Sequence, residues 1–458
     1  MSAPAHIAVI DVGKTNVKLA LVDADELTEI AVETRPNTVL PGPPYPHFDL
    51  EGHWAFILDH LSQFHKSHGI DVISVTTHGA SAVLLDEAGM LAMPMLDYEH
   101  DLSATATSYD TLRPSFDLTG SPRLPGGLNL GAQLYWLRET QPDAWARIAH
   151  IVTYPQYWGH RLTGVYATDV TSLGCHTDLW CPMAGGVSPL VETLGLSETL
   201  GTPRKSSDIL GTLTPEVAAR TGLPIGTPVL CGIHDSNASL YPHLLARTGA
   251  FSVASTGTWV VAMAVGGETP RLDPARDTLI NVNALGQPVP SARFMGGREY
   301  DLIRAGGEVH PTLADRTDVL DQWLMLLPAI EPGSGPFPRR AGGWTEEPSS
   351  DGTRMLALSW YLALMTDTCL RLISARGPTI IEGPFAHNPD YVEMLSHLRP
   401  DGVVVAGSST GTSIGAALLA GGKSRLSAGE VIACEIDPAL EAYAARWAAF
   451  VDKSIPRE

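Results

Sequence analysis

The segment Ile7-Ala8-Val9-Ile10-Asp11-Val12-Gly13-Lys14-Thr15-Asn16-Val17-Lys18-Leu19-Ala20-Leu21-Val22-Asp23 constrains the fold more than any other. An apolar run enters a short polar turn and leaves with Val17, Leu19 and Leu21 in alternation, which predicts a β-hairpin. Its tip suits a charged ligand. Gly13 lets the backbone come close, while Thr15, Asn16 and the backbone N–H groups can donate to oxyanions. Asp11, at the mouth of the turn, is placed to hold a cation or its water shell. A phosphate with its magnesium ion requires that combination. Taken alone, the segment also fits a plain tight hairpin with Asp and Asn as turn formers.

A second segment repeats the design. Phe251-Ser252-Val253-Ala254-Ser255-Thr256-Gly257-Thr258-Trp259-Val260-Val261-Ala262-Met263 again predicts strand, small hydroxyl-rich turn with glycine, strand. Each hairpin stands near the start of one half of the chain. The pattern predicts a duplicated α/β domain with nucleotide phosphates held between the copies. The chain has 458 residues, too many for one ordinary core, so two large domains are expected, with a junction near Leu245.

Charge narrows the partners. A formal net charge of −20 argues against a general binder of nucleic acid or anionic membrane, because basic surface holds such partners. An anionic cofactor remains compatible, since it needs only a local donor site and a metal. The first residues, Met1 to His6, carry neither a basic nor an apolar signal region, and no apolar stretch is long enough to span a bilayer. The five cysteines (Cys175, Cys181, Cys231, Cys369 and Cys434) lack metal-type spacing, and reduced, buried thiols in a cytoplasmic protein are expected.

Further elements follow from periodicity and punctuation. A Pro-rich loop from Pro36 to Pro46 precedes a helix through Trp54 to Leu58. Val72 to Gly79 predicts a strand ending in a polar turn, and Val83 to Gly89 predicts another strand turning at Gly89. Helices are expected at Gln133–Arg138 and Pro155–Leu162. Pro228 to Ile233 reads as one apolar strand with His234-Asp235 at its end. Later, Leu356–Ile373 predicts a long helix, and Thr379–Glu382 a buried strand delivering Gly383 to a turn. Asn388 is placed as an N-cap with Pro389 at the first helical position. Such a unit presents free N–H groups to a ligand. The small-residue helix Gly411–Ala420 admits either a flat ring or a close neighbouring backbone, and Leu440, Tyr443, Trp447 and Val451 mark a closing amphipathic helix.

Other motifs fail their tests. Gly422-Lys423-Ser424 has Ala417 where a P-loop needs its first glycine, and it follows a helix. Gly411-Thr412-Ser413-Ile414-Gly415 fits the letters of a nucleophile elbow, but Ser413 falls within a helix and not on a strand-to-helix turn. No dinucleotide glycine pattern follows the first strand. His65 and His68 lack the accompanying residues of a zinc helix.

Phosphoryl transfer asks for a phosphate cradle, a magnesium contact and a group to orient the attacking hydroxyl. The hairpins offer the first and Asp11 the second. Asp235 is the candidate base, at the C-terminal end of an apolar strand where ligand sites of α/β sheets gather. A helix N-cap into Ala238-Ser239-Leu240 accounts for the same residue equally.

Taken in order, these pieces resemble the FGGY family of carbohydrate kinases, a branch of the actin-like ATPase superfamily. Asp11 to Lys18 is similar to the family's first phosphate motif. Thr77-His78-Gly79 with Val83 to Asp86 and Gly89 resembles its sugar-side turn, and Arg161-Leu162-Thr163-Gly164 with Thr168-Asp169 another family segment. Gly232-Ile233-His234-Asp235 falls where the family keeps its catalytic Asp. Ser255 to Trp259 resembles the second phosphate motif, and Gly383 to Asn388 with Gly415-Ala416-Ala417 the adenosine motif. His-Asp followed by Thr-Gly-Thr-Trp is most similar to kinases of 6-deoxyketohexoses, the rhamnulose and fuculose type. Three positions depart from the pattern: Lys14 replaces a small hydroxyl residue, Gln133 a Lys, and Thr410 an acidic residue.

The resemblance implies an α/β fold of two ribonuclease-H-like (actin-like ATPase) domains, 1–245 and 246–458, with a ligand cleft between them. It implies ATP and Mg²⁺ as cofactors, a small-molecule sugar as partner, no nucleic acid and no membrane, and it is compatible with a homodimer. Asp235 is then the base and, with Asp11, a metal contact. Gly13, Lys14, Thr15, Asn16, Lys18, Thr256, Gly257 and Thr258 serve the phosphates, with a direct phosphate contact hypothesised for Lys14. Gly383, Phe385, Asn388 and Gly415 serve the adenosine. His78, Gly79, His234, Asp235, Arg298 and Glu299 are assigned to the sugar, a surface salt bridge being the alternative for the Arg-Glu pair. Trp259 either packs the hairpin or touches a ligand. A xylulose, other pentulose or polyol kinase of the family, or an actin-like switch whose ATP cycle moves a partner protein, are the alternatives.

Overall fold

In the computed structural model, residues 4–304, 306, 309–406, 411–421, 429–432 and 437–453 are described; Thr410, Gly422-Lys423-Ser424 and Cys434 lie outside them. The chain divides into two compact units. The first holds the N-terminal part through Ala246 and also takes in Ile280–Pro288 and Thr410–Leu426; the second holds the remainder.

In the first unit, strands His6–Val12 and Asn16–Asp23 form the expected hairpin, antiparallel and in register with Asp11 opposite Lys18. His6–Val12 also runs parallel to Val72–Thr77, pairing Val12 with Thr77, while Thr28–Pro36 extends the sheet on the hairpin's far side. The sheet is therefore mixed. The alternating residues Val17, Leu19 and Leu21 are fully buried with Ile10 of the first strand and with Ile57 and Leu61 of the helix Leu50–His68.

Pro228 to Ile233 does not form one strand. It breaks into Pro228–Leu230 and Ile233–His234 around Gly232, which adopts φ +94°, a left-handed conformation that favours glycine. The interrupted N–H groups of Cys231 and Gly232 donate instead to the carbonyls of Asp208 and Ser206. The break re-aims the chain so that Asp235 opens the helix Asp235–Ala246.

The second unit repeats the plan. Phe251–Thr256 and Val260–Val265 form the other hairpin; its first strand runs parallel to Thr379–Glu382, which is followed by Val403–Val405. The long helix, Asp351–Leu372, is buried along most of its length, and Leu440, Tyr443, Trp447 and Val451 of Pro438–Lys453 are buried as their spacing predicts.

The helix Thr412–Leu418 packs in the first unit. Ser74 Oγ donates to Ala416 O at 2.7 Å, and a Cβ on Gly415 would overlap the carbonyl oxygen of Ala238. Of the two uses open to its small residues, close backbone packing is the one seen. Ser413 lies within this helix, away from any strand-to-helix turn. Cys175, Cys181, Cys231 and Cys369 are buried and form no disulfide. No described helix is long and apolar enough to cross a membrane.

Candidate active site

The first unit gathers the acidic and histidine residues. Asp11, one residue before the end of its strand, is a buried carboxylate. Its Oδ2 accepts a hydrogen bond from Thr412 Oγ1 and lies 3.6 Å from Lys18 Nζ, which also reaches Glu29 Oε1 at 3.1 Å. Burial pushes the Asp11 carboxyl above its usual range. The Thr412 bond and Lys18 pull it back, and the charge of Asp235 adds to the rise. The two carboxylates therefore sense one another.

Asp235 is the first residue of its helix. Its Oδ1 accepts from the Ser236 N–H at 2.6 Å and lies 3.1 Å from His234 Nε2. The N–H it binds is its neighbour's, one residue on, whereas an N-cap binds the second or third N–H of the helix. At 29 % exposure the Asp235 side chain is open to a ligand. His234 is buried, with Cys175 Sγ 3.8 Å from Nε2, and its backbone N–H donates to Thr171 Oγ1 at 3.0 Å. Burial alone would depress the His234 imidazole, but Cys175 and Asp235 beside it outweigh burial and raise it to about 9.

His78 continues the strand Val72–Thr77, its N–H bonded to Val12 O at 2.9 Å. Its Nδ1 donates to Gly79 O at 3.0 Å, and Nε2 is buried with no partner among the described residues. The ring packs among Phe48 (5.3 Å between centroids), Tyr98 (5.4 Å) and Tyr154 (5.0 Å). Gly79 is held small by its neighbour: a Cβ there would sit 2.6 Å from His234 Nε2. His78, Gly79, His234, Asp235 and Asp11 thus form one group.

At the hairpin tip Thr15 and Asn16 are exposed, while the Gly13 N–H is spent within the turn on Asn16 O at 2.9 Å. Lys14 does not project from the tip. Its ammonium pairs with Asp97 and with Glu99 at 3.4 Å, and lies 4.5 Å from the Tyr98 ring centroid. Gln133 donates to the carbonyls of Ala80 and Gly127 and so braces the turn after His78.

Two supporting residues went unrecognised in the sequence. Asn37 donates through Nδ2 to Gly13 O and through its backbone N–H to Thr15 O, both at 2.8 Å. His53 Nε2 donates to Asn37 Oδ1 at 2.8 Å, so a buried imidazole steadies the tip. The Pro-rich surroundings of Asn37 advertise only a loop.

Burial lowers both His53 and His78 from 6.5 to about 4. The unfolded chain then binds more protons between those values, so the stability they contribute is full above 6.5 and is lost as the pH falls toward 4. Thermal melts across that window should show a falling midpoint, and His53→Gln, which keeps a donor for Asn37, should shallow the fall. Equal slopes for wild type and variant would contradict this.

The second unit gathers another set. A cavity of about 620 Å³ is lined by Gly257, Thr258, Gly297, Arg298, Pro384, Phe385 and Asn388, among others. Gly257 and Thr258 are exposed at the hairpin tip, but Thr256 is buried: its hydroxyl donates to Glu382 O and accepts from the Phe385 N–H at 3.1 Å, tying the hairpin to the Gly383 turn. Asn388 accepts from the Tyr391 N–H at 3.1 Å as an N-cap and donates to Ser359 Oγ at 2.9 Å. Trp259 lies beneath the Arg293 guanidinium at 4.7 Å.

Arg298 lines this second-unit cavity and bonds Glu331 at 2.7 Å, while Glu299 is buried, accepting from Tyr361 Oη at 2.8 Å. The adjacent pair therefore makes no salt bridge with itself. Gly415 belongs to the first unit, and Gly383, Phe385 and Asn388 belong to the second.

Among the described residues no group of three or more His, Cys, Asp or Glu is placed to hold a metal ion. A magnesium ion arriving with a nucleotide needs only one or two carboxylates beside the phosphates and water. Asp11 and Asp235, two oxygen donors in mutual electrostatic reach, fit that need.

Comparison with known proteins agrees with the motif order. The family model for the FGGY family of carbohydrate kinases, N-terminal domain, matches residues 6–241, and that for carbohydrate kinase FGGY, C-terminal domain, matches 248–428. A solved carbohydrate kinase from Novosphingobium aromaticivorans is 37% identical, with a TM-score of 0.90 over 97% of this chain and 100% of that one. An L-fuculokinase of Escherichia coli (strain K12) is 28% identical over 56% of this chain and 56% of the relative. A protein named probable L-xylulose kinase from Pasteurella multocida (strain Pm70) is 27% identical over 58% of this chain and 56% of that one. The chain spans 56% of the length of these two curated relatives. With its two mixed α/β units, each opening on a glycine-tipped hairpin, the chain belongs to the FGGY family of carbohydrate kinases.

Proposed function

We propose that this protein is an ATP-dependent kinase that transfers the γ-phosphate to a hydroxyl of a ketose, with a 6-deoxyketohexose of the rhamnulose or fuculose type fitting best. The observation that carries the reading is Asp235, a solvent-open carboxylate 3.1 Å from a buried histidine and electrostatically coupled to Asp11. Family membership and the L-fuculokinase relative support it. A xylulose-type pentulose is the second reading, favoured by the relative named for L-xylulose.

In this reading Asp235 accepts the proton of the sugar hydroxyl as its oxygen attacks the γ-phosphorus. His234 holds that carboxylate in place through its Nε2. Thr15 and Asn16 at one hairpin tip, and Gly257 and Thr258 at the other, contact the phosphates. Phe385 and Asn388 serve the adenosine. Asp11 and Asp235 would hold a magnesium ion, which when bound would neutralise charge on the phosphates. Sugar is held mainly by the first unit, through His78, Gly79 and His234.

A coupled ADP-release assay across ketoses and polyols tests this. Release should depend strictly on sugar, with one ketose preferred. Release that ignores every sugar but rises with a protein partner would contradict the reading and favour an actin-like switch.

A further inference from the structure

We propose that Lys14 is a determinant of the sugar acceptor and not a phosphate ligand, and that its setting selects an uncharged ketose over a sugar acid. The inference rests on the sugar-kinase reading.

Lys14 stands at a turn whose other residues, Thr15 and Asn16, are exposed. Its own side chain folds away, to an ion pair with Asp97 and to 3.4 Å from Glu99 Oε2. The ammonium lies 4.5 Å from the Tyr98 ring centroid and 5.1 Å from that of Phe48. Those two rings pack on His78, at 5.4 and 5.3 Å. A cation over aromatic faces and against a buried carboxylate is fixed in place. Lys14 therefore belongs to the wall around His78, which also feels the charge of Asp235. His78 adds an independent sign of a polar ligand. Its Nδ1 donates to Gly79 O, which makes Nε2 an acceptor, and that acceptor is buried without a partner among the described residues. A buried acceptor of this kind calls for a donor, and a substrate hydroxyl supplies one.

The charge balance decides which substrate. Two carboxylates, Asp97 and Glu99, already outnumber the one ammonium, and Asp11 and Asp235 add negative charge nearby. An aldonate brought here would meet four carboxylates against Lys14, Lys18 and His234, each already engaged with a carboxylate of the group or its surroundings. A neutral sugar meets donors, acceptors and the ring faces of Phe48, Tyr98 and Tyr154, against which its C–H surface can lie. Lys14 can still turn an N–H toward a sugar oxygen, since an ammonium carries three donors.

The test compares wild type with Lys14→Met and Lys14→Arg, measuring KM for the preferred ketose, KM for ATP, and ADP affinity by calorimetry without sugar. Lys14→Met should raise the sugar KM by about 10-fold or more, the worth of a lost charge-assisted hydrogen bond, and leave ADP affinity within about twofold. Lys14→Arg should recover part of the sugar KM. Wild type should use gluconate at least about 10-fold less efficiently, in kcat/KM, than its best neutral ketose. A Lys14→Met protein with weakened ADP affinity and an unchanged sugar KM would overturn the proposal and return Lys14 to the phosphates. Unchanged constants throughout, or a preference for gluconate, would also overturn it. If wild-type ADP release ignores all sugars, the kinase reading itself fails and this proposal with it. The calorimetric arm reads nucleotide binding alone and tells the two failures apart.

Discussion

Asp235→Asn is expected to lower the rate of phosphoryl transfer by about 100- to 10,000-fold, the range general-base catalysis supplies, while leaving ADP affinity nearly unchanged. The substitution is close to isosteric. An Asn Oδ1 can still accept from the Ser236 N–H now bonded at 2.6 Å, so the start of the helix Asp235–Ala246 stays formed. What disappears is the capacity to take a proton, together with the charge that faces Asp11 and His234. The loss should therefore fall on kcat and not on folding. Single-turnover measurement with saturating ATP separates the chemical step from product release. An Asn variant that turns over at wild-type speed would remove Asp235 as the base.

Gly383→Ala should destabilise the second unit by about 3 kcal/mol or more, the cost of forcing a side chain into a glycine-only conformation against backbone. Gly383 adopts φ +85° and ψ −167°, and an added Cβ would overlap the carbonyl oxygen of Thr256. Neither partner can retreat. Thr256 is paired in the hairpin opposite Val260, and its hydroxyl is committed to Glu382 O and the Phe385 N–H. Relief would have to move the strand Thr379–Glu382 or the turn that carries Phe385 and Asn388 into their cavity, so nucleotide binding should weaken with stability. Gly257→Ala serves as the contrast: its Cβ would meet only Trp259 O at 3.8 Å, ordinary contact, and its stability cost should stay within about 1 kcal/mol. Denaturant unfolding followed by calorimetric ADP binding checks both. Similar stabilities for the two variants would contradict the account of the turn.

The legible parts of this protein are those with local causes. Both hairpins announce themselves through apolar alternation around a glycine turn, and Asn388 as an N-cap needs only its own neighbours and Pro389. The catalytic candidate Asp235 is readable because a strand end is a local event. Contacts between distant residues are not readable in this way. Lys14 at a phosphate-type tip invites a phosphate role, yet its partner Asp97 lies 83 residues away, and nothing near Lys14 signals that pairing. The same holds for Asn37 and His53, which steady the tip from a loop and a helix. Gly415 shows the limit of composition: a run of small residues says that something comes close, and only the fold shows that it is the backbone at Ala238. Gly232 reads as one more residue of an apolar strand until its positive φ splits that strand in two.

The family gives a frame for these residues, and their chemistry places the demand on one reaction. Phosphorus NMR of wild-type protein with ATP, magnesium and the preferred ketose tests it most directly. The account predicts one sugar-phosphate resonance growing in equal amount with ADP, and no growth when the sugar is left out. Inorganic phosphate accumulating at the same rate with or without sugar would contradict it.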